Sequence, residues 1–120
     1  MKHIKQTGVK RLLGAGLWAC HGLRDAVRTE EAFRQECMLA ALLIPASFMI
    51  DTTASGHALL VASVIFVLFV ELLNTAIETV VERISDEIHP LSKRAKDLGS
   101  AAVLLSIINA VAIWGIIIFL

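Results

Sequence analysis

The chain has 120 residues, 57% of them hydrophobic, and its 11 basic and 11 acidic side chains leave no net charge. That length corresponds to one domain over residues 1–120, and a balanced charge gives no support for binding to nucleic acid. Apolar residues are grouped in long blocks, so the composition favours an all-α membrane protein over a soluble domain.

The segment at about 7–29 combines apolar residues at helical spacing with basic residues on most of the other positions. Leu13 and Leu17 belong to the apolar set, and Lys10 and Arg24 to the basic set. This pattern predicts an amphipathic helix that lies on the membrane surface with its apolar side in the lipid.

Three apolar blocks follow and predict membrane-spanning helices at about 33–50, 57–81 and 98–120. The last block carries no charged residue and is long enough to cross about 30 Å of hydrocarbon as a helix. The first block is the shortest, and Pro45 is predicted to kink it.

Two local patterns describe the third span. The residue before Pro90 is disfavoured in helical conformation, and Ser92 is predicted to cap the start of the helix. Further along, Ala102, Ser106 and Ala110 repeat every four residues, a spacing of small residues that favours close helix contact in lipid.

Basic residues flank the spans unevenly. Lys2 and Lys5 begin a basic cluster before the first span, a second cluster occupies 82–97, and the connection at 50–57 has no Lys or Arg. The positive-inside rule therefore predicts that the N-terminus and the 82–97 connection are cytoplasmic and that the C-terminus lies outside.

The second span contains two acids and an amide among apolar residues. Glu71, Asn74 and Glu78 stand at positions i, i+3 and i+7, on one face of a helix. A carboxylate at the centre of a bilayer costs about 2.5 kcal/mol or more. Residues of this kind usually mark an ion pathway, a proton relay or a catalytic site.

More charged residues gather where the predicted spans meet the cytoplasm. The carboxylate oxygens that Mg²⁺ prefers are offered by Glu30, Glu31, Glu36, Glu78 and Asp97. Lys96 offers a point charge for phosphate. Glu71 lies deeper and is suited to accept a proton from a hydroxyl that arrives within the bilayer. The alternative is a small proton-coupled transporter, which needs a membrane carboxylate such as Glu71 but not the interfacial cluster.

The sequence resembles the small prokaryotic integral-membrane diacylglycerol kinases over nearly its whole length. The matching segments are EEAFRQE at 30–36, ELLNTAIE at 71–78 and AKDLGSAAV at 95–103. The resemblance implies MgATP-dependent phosphorylation of diacylglycerol to phosphatidic acid in the bacterial cytoplasmic membrane. It also implies a homotrimer of three-span subunits in which the subunits share active sites.

By position, the resemblance implies that Glu71 is the general base and that Glu30 and Glu78 bind Mg²⁺. The positions that it assigns to ATP binding are Arg11, Trp18, Glu30, Glu78, Glu87, His89, Lys96 and Asp97. The positions that it assigns to the lipid substrate are Arg11, Arg34, Gln35, Glu36, Glu71, Asn74, Ser100 and Trp114. A sister branch of the family phosphorylates undecaprenol, and the AFRQE segment at 32–36 resembles the diacylglycerol branch.

Overall fold

A computed structural model describes residues 7–84 and 87–120, and this part of the chain is all-helical. The helices are α1 (Gly8–Thr29), α2 (Glu31–Ser47), α3 (Ala54–Ile84) and α4 (Pro90–Phe119). The predicted all-α class is therefore confirmed. Lys2 and Lys5, which begin the N-terminal basic cluster, lie outside the described residues.

The first two helices meet at a single extended residue, Glu30, with φ −107° and ψ 108°. Its N–H donates to the carbonyl oxygen of Ala26 at 2.9 Å, and its carbonyl oxygen accepts the N–H of Arg34 at 3.0 Å. Nη1 of Arg34 also donates to the carbonyl oxygens of Val27 and Arg28, each at 3.1 Å. Arg34 thus satisfies free carbonyls at the end of α1 and places a cation at the negative end of its dipole.

Helices α2 and α3 form an antiparallel pair. At the connection between them, Nδ1 of His57 lies 3.1 Å from the carbonyl oxygen of Ser47. At the opposite end of the pair, the carboxyl groups of Glu36 and Glu71 lie side by side. Pro45 stands in the last turn of α2, which ends at Ser47, so the proline marks the end of this helix and does not interrupt its middle.

The most extensive contact between helices joins α3 and α4. Gly99 of α4 is buried, and a methyl group added there would overlap the amide oxygen of Asn74 on α3. Farther along, Nε1 of Trp114 donates to Oγ of Ser63 at 3.0 Å. These two contacts show that α4 runs antiparallel to α3 and stays close to it between the two points.

The small residues of α4 that meet α3 differ from the predicted set. Ser106 is 1% exposed and Ala110 is half-buried, but Ala102 is exposed, so the prediction is wrong at Ala102. The buried positions are Gly99 and Ser106, which are seven residues apart and share a helix face. Oγ of Ser106 donates to the carbonyl oxygen of Val103 at 2.7 Å, which satisfies the buried hydroxyl within its own helix.

Helix α4 begins earlier than the predicted cap at Ser92. His89 occupies the N-cap position, and its Nδ1 accepts the N–H of Leu91 at 3.1 Å. Pro90 takes the first helical position, where its missing N–H leaves no bond unmade. The Ser92 prediction is wrong because the imidazole nitrogen of His89 supplies the acceptor that a serine hydroxyl usually provides.

Among the described residues, α3 and α4 are long and apolar enough to cross a membrane, with mean hydropathies of 2.3 and 2.5 over their most apolar windows. Large apolar side chains on both helices remain exposed, including Phe69 at 53% and Leu105 at 66%. Exposure of this kind is expected where lipid or another protein surface surrounds a helix. Helix α2 has 17 residues and is about 25 Å long.

We expect Gly99→Ala to lower the free energy of unfolding by about 1–3 kcal/mol, because the new methyl group overpacks the contact with Asn74. Thermal unfolding in detergent micelles, followed by helical circular dichroism, measures the effect. Gly22→Ala is the matched control, since a methyl group there meets no atom within 4 Å. A melting temperature for Gly99→Ala as high as that of the control would contradict this packing role.

Candidate active site

The polar face of α3 is present as predicted. Glu71, Asn74 and Glu78 are all half-buried on one continuous helix. Nδ2 of Asn74 donates to Oε1 of Glu78 at 3.4 Å. Glu71 lies about 10 Å from Glu78 along the helix axis. The face therefore has a linked pair, Asn74 and Glu78, and a separate carboxylate two turns away.

The amide oxygen of Asn74 has an unusual environment. This Oδ1 is buried and accepts no hydrogen bond from the described residues, and it faces the backbone of Gly99. Leaving a buried acceptor without a donor costs about 1–3 kcal/mol, so such atoms in native proteins commonly serve a bound group.

The carboxylate of Glu71, the first acid on the polar face of α3, is paired with a carboxylate from α2. The carboxyl group of Glu36 lies beside that of Glu71, while Oε2 of Glu36 is buried and has no donor among the described residues. Ionised carboxylates are acceptors only. Two of them side by side therefore require a proton or a cation between them. The pairing brings together two residues that the sequence places in different helices.

An apolar groove of about 520 Å³ extends from this carboxylate pair between α2, α3 and α4. Glu36 stands at one end, Trp114 and Phe119 line the other end, and Val64 and Val67 form part of the wall. A narrow apolar space that ends at a polar group is suited to an acyl chain with its headgroup at the carboxylates. Two residues assigned to the lipid by resemblance, Glu36 and Trp114, thus line one groove.

A second, polar pocket of about 320 Å³ lies between the end of α3 and the start of α4. Its polar lining residues are Glu82, Glu87, His89, Ser92, Lys93 and Lys96. Three of the predicted ATP-binding residues, Glu87, His89 and Lys96, therefore line a single pocket. The N-terminal end of α4 lies at this pocket. The positive end of its helix dipole and the lysines together favour the binding of an anion.

Asp97, also predicted to bind ATP, is not among the residues that line this pocket. Its Oδ2 accepts a hydrogen bond from Nζ of Lys93 at 2.6 Å. That hydrogen bond and the negative charge of Asp97 raise the pKa of Lys93 above its ordinary value, so Lys93 is a cation at neutral pH. Lys93 was not predicted as a site residue, although its i, i+4 spacing from Asp97 is a recognisable ion-pair signal.

Several predicted site residues lie away from these groups within the single chain. Arg11 and Trp18 are exposed on α1, whose main contacts are with α2, and the ring of Trp18 lies 5.9 Å from that of His21. Gln35 and Ser100 are exposed. Arg34, which the resemblance assigns to lipid binding, donates hydrogen bonds to main-chain carbonyls at the point where α1 meets α2.

The predicted metal ligands are Glu30, at the corner between α1 and α2, and Glu78, at the C-terminal end of the polar face. Within residues 7–84 and 87–120, no group of three or more His, Cys, Asp or Glu side chains is placed to hold a metal ion. A pair of carboxylates nevertheless suits Mg²⁺, which usually keeps several water and phosphate ligands. The donor chemistry fits the ion, and the assignment of the pair stays a prediction.

Comparison with known proteins places the chain in a family. The profile described as prokaryotic diacylglycerol kinase matches residues 17–118. The diacylglycerol kinase of Haemophilus influenzae is 44% identical over 115 residues, covering 96% of this chain and 98% of that protein. The enzyme of the same name from Pseudomonas aeruginosa is 46% identical over 112 residues, with coverage of 93% and 91%. That of Escherichia coli K12 is 47% identical over 113 residues, with coverage of 94% and 93%. This chain belongs to the prokaryotic diacylglycerol kinase family and is a lipid kinase.

Proposed function

We propose that this protein transfers the γ-phosphoryl group of MgATP to the primary hydroxyl of diacylglycerol and forms phosphatidic acid at the cytoplasmic face of the membrane. The observation that carries the proposal is the arrangement along α3. A carboxylate pair stands at the end of an apolar groove, and a pocket with two lysines opens toward the end of the same helix. Membership of the diacylglycerol kinase family supports the choice of lipid.

On the lipid side, an acyl chain occupies the apolar groove and the primary hydroxyl reaches Glu71. Glu71 accepts the hydroxyl proton as the oxygen attacks the γ-phosphorus, the bond from that phosphorus to the β-phosphate oxygen breaks, and ADP leaves. Glu36 lies beside Glu71 to share the proton. Phosphoryl transfer depends more on positioning and charge neutralisation than on covalent catalysis. A positioned base of this kind contributes about 10²- to 10⁴-fold in rate.

On the nucleotide side, the triphosphate binds in the pocket at the start of α4, where Lys96 and the helix N-terminus meet its negative charge. Glu30 and Glu78 hold Mg²⁺, and Asn74 orients the carboxylate of Glu78 through its amide N–H. When bound, Mg²⁺ neutralises charge on the phosphate oxygens. The residues of α3 thereby connect the two substrates along one helix.

The membrane arrangement that fits this chemistry has three spans, with α2 as the first. The N-terminus and the connection between α3 and α4 face the cytoplasm, the C-terminus faces outward, and three copies form a homotrimer. The exposed apolar side chains of α3 and α4 support such an assembly. The position of Arg11 and Trp18 on α1 also supports the homotrimer, because a neighbouring subunit brings a substrate site within reach of these two residues.

The experiment that tests the function is transfer of labelled phosphate from ATP to diacylglycerol in Mg²⁺-containing mixed micelles, with undecaprenol in a parallel reaction. Label in phosphatidic acid is the expected result. Label only in the polyprenyl phosphate would keep the mechanism and change the substrate. Folded protein that labels neither lipid would overturn the proposal and favour the transporter.

Replacement of the proposed base separates chemistry from binding. We expect Glu71→Gln to lower kcat by about 10²-fold or more, because the amide cannot accept the hydroxyl proton. Binding of labelled ATP should persist, since Glu71 lies two turns from Glu78. Asp51→Asn, at an exposed acid in the connection between α2 and α3, is the control and should behave as the wild type. Wild-type turnover in Glu71→Gln would contradict the assignment of the base.

The metal assignment has a different signature. We expect Glu78→Gln to raise the Mg²⁺ concentration that gives half-maximal activity by about ten-fold or more, because one of the two carboxylate ligands is lost. Titration of phosphate transfer against Mg²⁺ at saturating ATP measures the change, again with Asp51→Asn as control. An unchanged Mg²⁺ dependence would remove Glu78 from the metal site.

A further inference from the structure

Lys93 connects two parts of the proposed nucleotide site that are otherwise separate. It lines the pocket that contains Glu87, His89 and Lys96, and its Nζ bonds to Asp97, which does not line that pocket. We propose that Lys93 is a second phosphate-binding cation of the nucleotide pocket, held at its edge by Asp97 until a triphosphate binds. This inference rests on the proposed kinase function.

The position of Lys93 suits this role. Lys93 and Lys96 are three residues apart on α4 and project from neighbouring points of one helix surface into the same pocket. Both lie within the first two turns after the N-cap at His89. The two ammonium groups are therefore directed at one volume beside the N-terminal end of α4, where they can bind successive phosphates.

A second lysine changes the charge balance of the pocket. Its lining carries two acids, Glu82 and Glu87, against two lysines, Lys93 and Lys96. Without Lys93, two acids would face one lysine, and the attraction of the pocket for a polyanion would be weaker. With Lys93 in place the side-chain charges balance, and the dipole of α4 adds a favourable field for phosphate.

The pair with Asp97 is readily exchanged for a phosphate. The side chains of Lys93 and Asp97 are 74% and 63% exposed, and exposed ion pairs contribute little because water screens them. A phosphate group carries more charge and more acceptor oxygens than a carboxylate and makes strong charge-assisted hydrogen bonds. The flexible lysine side chain can move from one partner to the other without moving the backbone.

The test compares two neutralising substitutions at adjacent positions. We expect Lys93→Gln to raise the KM for MgATP about five- to ten-fold with kcat within about two-fold, because one phosphate contact is lost. The KM of the variant should also rise less with NaCl than that of the wild type. Arg94→Gln removes the same charge from the next residue, which does not line the pocket, and should leave KM near the wild-type value.

Two further measurements separate phosphate binding from a structural role. Lys93→Arg keeps the charge and should bring KM close to the wild-type value. Inorganic tripolyphosphate, used as a competitive inhibitor, should bind more weakly to Lys93→Gln than to Arg94→Gln. Equal KM and inhibition constants in the two glutamine variants would overturn this inference alone. A wild-type protein that transfers no phosphate from ATP would overturn the proposed function and the inference with it.

Discussion

At Gly99, α4 approaches α3 closely, and the arrangement of the polar groups on α3 follows from this contact. Polar groups on an apolar helix are costly unless neighbouring helices shelter them. Gly99 lets the α4 backbone reach Asn74 directly, and Asn74 in turn bonds to Glu78. The contact that packs the two helices together therefore also orients a carboxylate that is proposed to bind Mg²⁺.

The same helix, α3, joins an apolar environment to a charged one. Its middle borders the groove that ends at Glu36 and Glu71, and its final turns border the pocket with the lysines of α4. A lipid hydroxyl and a triphosphate differ greatly in polarity, so they need separate binding surfaces that still meet at one point. In the proposed mechanism, the polar face of α3 provides this meeting point, because the helix borders both surfaces.

The corner between α1 and α2 also positions a carboxylate. Glu30 alone links α1 to α2, and Arg34 holds that corner through two main-chain carbonyls. Glu30 is thereby placed by backbone geometry at the boundary between α1 and α2. A carboxylate at such a corner has less freedom than one in a loop, as a metal ligand requires. Arg34 accordingly has a structural function whether or not it also contacts lipid.

Four helical segments could be predicted from the sequence, because long apolar blocks and helical periodicity are local signals that survive without tertiary context. The span predicted at 98–120 lies in a helix that already begins at Pro90. The sequence also determined the polar face of α3, since positions i, i+3 and i+7 share a face in any helix. Family motifs assigned Lys96, Glu87 and His89 to one substrate, and the structure brings them to one pocket. The sequence did not identify the caps correctly, because His89 rather than Ser92 supplies the acceptor.

The contacts between residues on different helices could be seen only in the folded chain. The pairing of Glu36 with Glu71, the burial of Gly99 against Asn74 and the bond from Trp114 to Ser63 join residues more than 20 positions apart. Ala102 and Gly99 are both small, and only the rotation of α4 about its axis determines which of them faces α3. Helix rotation follows from the packing of whole surfaces, which a local pattern of small residues does not specify.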